Sequence, residues 1–261
     1  MPKQTYLQNC LHNNRTMRWL ESTMPLKVYI APYRFYSNQG DGAMYMGLAA
    51  KAFNYWEEVT KGKVVFQGVG SLLESQINLD WKRVDRSSLG RCFFNKDSGN
   101  RLYSAEIEIG ISDGLIHAEY MSSGEVYHTI LHEVGHAIGL GHSPYMDDIM
   151  YTPHQYGVTE LSYKDMQTAN WLYSIPNNIS PAELAGQYNV ASTDIDEVIA
   201  HISGGKGKNG LTGMPQRKKK RNLMEEQEMI ADMQRHHILA SQNLKIPNPY
   251  MNNFNNPYKH Q

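Results

Sequence analysis

Residues 132–143 read His-Glu-Val-Gly-His-Ala-Ile-Gly-Leu-Gly-His-Ser. On a helix, His132 and His136 share one face about one turn apart, so both imidazoles reach a single ion. Glu133 follows the first histidine, placed to take a proton from a metal-bound water without being a ligand. Gly139 and Gly141 let the chain leave the helix sharply, so that His142 turns back as a third nitrogen donor. Three nitrogen ligands leave one position of a tetrahedral zinc open, the arrangement of a catalytic rather than a structural site. At this chain's histidine and glutamate frequencies, His-Glu-x-x-His arises by chance in about 3 of 100 such chains, and adding Gly139 and His142 lowers that to about 1 in 10,000. The pattern is therefore read as a metal site and not as scattered surface histidines.

Such a site needs a scaffold, and the flanking sequence supplies its elements. The helix carrying the histidines is expected from about Glu125 to Ile138, after Ser122, Ser123 and Gly124, with Gly139 and Gly141 as its stop. Upstream, Leu26–Ile30 reads as a short strand closed by Pro32. From Asp41, read as an N-cap, the residues Tyr45, Leu48, Ala49, Ala52, Trp56 and Val59 recur at helical spacing until Gly62. Strands are expected at 64–69, at 77–81 and around Cys92–Phe94, and the period-2 run over 105–111 is the clearest of all. Ser162 with Asp165 three residues on forms a carboxylate variant of the capping box, opening a last body helix that Pro176 ends. The fold class is thus α/β (α+β): a mixed sheet with three main helices packed on it.

Composition bounds the rest. The 261 residues, with 25 Lys+Arg and 26 Asp+Glu, suit one ordinary domain plus a more polar part. No apolar stretch approaches the roughly 20 residues that cross a bilayer. Residues 1–202 carry 15 Lys+Arg against 22 Asp+Glu, whereas residues 203–261 carry 10 against 4, so the tail differs physically from the body. The organisation expected is an N-terminal extension over 1–25, a catalytic domain over 26–176, a C-terminal extension over 177–202 with short helices, and a basic linker, helix and disordered tail over 203–261. His12, Asn13, Asn14 and Arg15 stand where a secretion signal would be apolar, so none is read there.

The motif resembles that of the metzincin metallopeptidases, HExxHxxGxxH, and is most similar to the matrixins. Gly135 before the second histidine, Ser143 after the third and Met150 within Asp148-Ile149-Met150-Tyr151 carry the narrower resemblance. Thr152 stands where the astacin branch would place a tyrosine. The resemblance covers roughly 26–175. It implies a mostly parallel five-stranded sheet, an open zinc cleft, and His132, His136 and His142 as ligands. It further implies Glu133 as general base and acid, and a tight turn at Met150 beneath the metal. The strand near Cys92–Asn95 would be the rim that pairs with an extended peptide, and the loop 151–160 would shape a side-chain pocket. An extracellular or cell-envelope setting is implied by the family alone. The activity implied is zinc-dependent endopeptidase action on proteins or peptides, and a non-catalytic zinc-containing binding module is the alternative.

Other residues receive plainer readings. His128 is taken as a cleft-wall or packing residue, and His154 as a solvated loop histidine. Glu106 and Glu108 could face calcium, an ion many matrixins carry, but no calcium-type loop is evident and a solvated sheet face is expected. Cys10 lacks the family's latch motif, so residues 1–25 are read as a disordered or docking terminus. The basic run 217–221 suits protein or solvent better than nucleic acid.

Overall fold

The computed structural model describes residues 3–34, 39–120 and 122–205. The expected linker after Gly205, the basic run and the tail helix lie outside the described residues. Five strands form one sheet: β1 (Leu26–Ile30), β2 (Phe66–Gly68), β3 (Ile77–Arg83), β4 (Gly90–Lys96) and β5 (Leu102–Ile111). Their order is β2-β1-β3-β5-β4; every pairing is parallel except that of β4, which runs antiparallel to β5 at one edge.

Alternation decides which face is covered. Ile77, Leu79, Trp81, Ile107 and Ile109 are buried on one side, where the helices lie. Their neighbours Asn78, Asp80, Glu106 and Glu108 face the other way in matched register. Glu108 has Lys82 at 3.9 Å and pairs in register with Arg91, so Glu106 and Glu108 sit on a solvated, charge-mixed face.

Helix α1 (Gln39–Val59) begins two residues before Asp41, which therefore lies inside the helix and not at its cap. Its apolar stripe, including Leu48, Ala52 and Trp56, is buried, and the Trp56 indole donates to the Leu131 carbonyl at 3.0 Å. That bond ties α1 to α2 (Ser123–Ala137), the helix that carries the histidines. Helix α3 (Tyr163–Leu172) opens with the Ser162–Asp165 capping box formed in both directions. Two short helices follow, α4 (Pro181–Tyr188) and α5 (Ile195–Gly205). Ser203–Gly205, read in sequence as the start of the linker, continue α5.

Residues 3–25 are docked and contribute to the core. Tyr6, Leu7, Cys10, Met17 and Trp19 join the same buried cluster as the sheet and α2. The Trp19 indole donates to the Ala137 carbonyl at 2.8 Å, and the Thr5 hydroxyl and Leu7 amide both donate to Asp196 of α5, at 2.5 and 2.7 Å. These apolar residues follow neither helical nor strand spacing, so no periodicity marked them as core.

Trp19→Ala, leaving a cavity in that cluster, is expected to lower stability by about 3–5 kcal/mol. Leu73→Ala, at a side chain 96% exposed, should change it by less than about 0.5 kcal/mol. Urea unfolding of the full chain measures both, and an unchanged midpoint for Trp19→Ala would show that the N-terminal segment lies outside the cooperative unit.

Candidate active site

Helix α2 is capped by the Ser122 hydroxyl, which accepts the Glu125 amide at 3.2 Å. It ends in a turn at Gly139, whose φ of 97° is open to glycine at little cost. A side chain at Gly139 would also meet the Met17 carbonyl, since the N-terminal segment packs directly on this turn. The turn sends His142 back toward the helix, and the Asn9 amide donates to the His142 carbonyl at 3.1 Å to hold it there.

His132, His136 and His142 converge: their ligand atoms lie within 4.8 Å of one another. The His132 Nδ1–H donates to the Ile149 carbonyl at 2.7 Å, and the His136 Nδ1–H donates to the Leu140 carbonyl at 2.8 Å. Each bond fixes the tautomer that leaves Nε2 as a lone pair. The Nε2 atom of His136 stands 3.0 Å from that of His132 and 3.2 Å from that of His142. Nitrogens about 2.0–2.1 Å from a tetrahedral zinc stand about 3.3 Å apart, so the donor set fits that ion in type and spacing. Burial, with the neighbouring rings, holds His132 well below the usual histidine range, and burial brings His136 down to about 4. Neutral rings are the state a metal requires.

Beneath the histidines lies Met150, fully buried, in a turn whose Met150 carbonyl accepts the Ser143 amide at 2.8 Å. A Cβ on Gly135 would overlap the Met150 sulfur, so the helix can rest on this turn only where the residue has no side chain. Met146, the other methionine nearby, is exposed. Asp165 anchors the turn from α3, accepting the Ile149 amide at 2.8 Å while taking the Tyr6 hydroxyl at 2.7 Å. Sequence reading found only the capping role of Asp165, because its other partners are distant in the chain.

Glu133 faces the cleft between α2 and β4, 6% exposed, and burial pushes its carboxyl up to about 8. A Cβ on Gly90 of β4 would come within 2.8 Å of a Glu133 oxygen, so the edge strand lies against the carboxylate. The cleft is open, about 670 Å³, and lined by β4, α2 and the loop after Met150. A family profile described as matrixin matches residues 32–174, more than half of the chain.

This chain belongs to the matrixin family. A Caenorhabditis elegans relative, matrix metalloproteinase-A, is 27% identical over 89 residues, which cover 33% of this matrixin and 16% of the relative. The aligned part thus spans about a sixth of that protein.

Two cysteines and two further histidines complete the surroundings. Cys10 is buried behind the site, accepting the Gly141 amide at 3.2 Å, and burial pushes its thiol up to about 12. It is outside the histidine cluster. Cys92 lines the cleft as a free thiol. His128 is a cleft-wall residue, as read from sequence, 1% exposed, its Nδ1–H donating to the Val158 carbonyl at 2.7 Å. His154 corrects the sequence reading: its ring is largely enclosed and donates from Nε2 to Glu125 at 2.7 Å, lining the cleft and not standing free in solvent. Glu125, read only as the start of the helix, also accepts the Gly157 amide at 2.9 Å. The Glu125–His154 pairing crosses 29 residues and leaves no local signal.

Burial lowers the His128 pKa from 6.5 to about 4. The unfolded chain therefore takes up a proton at this position first as pH falls, so His128 costs stability progressively between pH 6.5 and 4. Glu133 and Asp165, raised by burial, act with the opposite sign, so the comparison is made against a variant. Metal-free wild type is expected to lose stability relative to metal-free His128→Gln as pH drops from 7 to 4.5. Urea midpoints at several pH values check this, and a constant difference would contradict it.

Proposed function

We propose that this matrixin is a zinc-dependent endopeptidase in which His132, His136 and His142 hold the ion and Glu133 moves the proton. The observation that carries the reading is the convergence of three lone-pair nitrogens beside a buried carboxylate on the same helix. Zinc bound there supplies a Lewis acid that polarises a peptide carbonyl and brings the pKa of a water to about 7.

The chain's own groups do the rest. Among the described residues, edge strand β4 is paired on one side only, by β5, and its other edge borders the cleft. An extended polypeptide can add there as a further strand, which places its backbone beside Glu133. Glu133 accepts a proton at a carboxylate oxygen from the attacking water, and its enclosed position lets it retain that proton until the amine departs. It then delivers the proton to the leaving nitrogen. Ile149 and Leu140 hold the histidine rings in the required tautomer throughout. The substrates are protein or peptide segments in extended conformation.

The full chain is expected to cleave an unfolded protein, and Glu133→Ala to slow cleavage on the order of 10²–10⁴-fold, with zinc near one per chain in both preparations. Zinc bound without cleavage by wild type would overturn the peptidase reading in favour of a binding module.

A further inference from the structure

Two of the three histidines are held by their own rings, and the third is not. His132 and His136 stand on α2, each with its ring fixed by the Nδ1–H bond to a carbonyl. His142 lies beyond the helix, past the Gly139 turn, and is exposed. Among the described residues its ring makes no hydrogen bond to a carbonyl or carboxylate, and its Nε2 faces that of His136 at 3.2 Å. The direction of this imidazole is therefore set through the backbone that carries it.

That backbone is fastened at both ends. On one side the Ser143 amide donates to the Met150 carbonyl at 2.8 Å. On the other the anchors come from the N-terminal segment, 131 and 133 residues away: the Gly141 amide donates to the Cys10 sulfur at 3.2 Å, and the Asn9 side-chain amide donates to the His142 carbonyl at 3.1 Å. The segment thus grips the chain on either side of the 141–142 peptide. It is itself pinned just upstream, where Asp196 of α5 accepts the Leu7 amide at 2.7 Å and the Gln8 amide at 3.2 Å.

Gly141 shows how close the fit is. Its φ lies outside the left-handed region, so backbone conformation does not demand glycine there. A Cβ would instead overlap the Asn9 carbonyl oxygen and crowd the Cys10 Cα at 3.2 Å. Both neighbours are backbone atoms, which no side-chain rotation can move. The segment and the turn share one surface, and a shift of either displaces His142.

We propose, on the reading of His132, His136 and His142 as ligands, that Asn9 and Cys10 are positioning residues for the third of them, so that the N-terminal segment sets how tightly the site keeps its metal. Two imidazoles alone make a weaker site, and a loosened 141–142 backbone raises the cost of bringing the third to the ion. The influence passes through His142 and leaves the two helix-borne rings as they are.

Zinc dissociation constants, from competition with a chromophoric chelator, and metal-free urea midpoints are measured on the full chain for Asn9→Ala, Cys10→Ala and Gly141→Ala, each with His142 intact and again with His142→Ala. Asn9 is exposed, so Asn9→Ala should leave the metal-free midpoint unchanged. With His142 present, Asn9→Ala and Cys10→Ala should each weaken zinc binding about two- to tenfold, and Gly141→Ala about ten- to a hundredfold. With His142→Ala, all three changes should shrink to within about twofold, because the grip they disturb then carries no ligand. No weakening by Asn9→Ala, or the same weakening in both backgrounds, overturns the proposal, since a role in the fold at large would act equally in either. If His142→Ala alone leaves zinc affinity untouched, His142 is no ligand, and the three-histidine reading falls together with the proposal.

Discussion

The arrangement rests on two hydrogen bonds from imidazole Nδ1 to backbone carbonyls, His132 to Ile149 and His136 to Leu140. They oblige uncharged rings to point lone pairs at one another across 3.0 Å, with His142 completing the set at 3.2 Å. Such a convergence is electrostatically unfavourable until a cation enters, so the protein must hold it with structure spent elsewhere. The carbonyls that do so belong to the turn after α2 and to the turn before Met150, neither of which is regular secondary structure.

Those two turns are in turn braced from outside the body of the sheet. The first packs against Asn9, Cys10 and Met17; the second hangs from Asp165, which Tyr6 also engages. A segment of the chain far in sequence from the histidines thereby becomes their underlay. Asp196 of α5 accepts from Thr5 and Leu7, so α5 fastens that underlay from the other side. The route from α5 to the histidine rings is a continuous series of packed side chains and hydrogen bonds.

The parts of this design that follow a local period or motif are visible in the amino-acid sequence. The His132–Glu133–His136 spacing, the Gly139 stop, the Ser162–Asp165 box and the alternation in β5 each encode their structure within a few residues. The sheet-and-helix order and the edge position of β4 were also accessible through the family resemblance. What escaped were contacts closed by the tertiary fold: Trp19 on Ala137, Tyr6 on Asp165, and Glu125 with His154. A tyrosine near an N-terminus or a histidine in a loop carries no pattern that names its distant partner. His154 was misjudged for that reason, since polar loop residues are exposed unless such a partner encloses them.

In the proposed site three histidine nitrogens and no sulfur hold one zinc, with one position left for a small ligand. X-ray absorption at the zinc edge of the full chain distinguishes this ligand set from others. Nitrogen and oxygen scatterers alone are expected at about 2.0–2.1 Å, three of them with the outer-shell pattern of imidazole, and two such imidazoles after His142→Ala. A sulfur scatterer at about 2.3 Å, or a fourth imidazole, would rule this ligand set out.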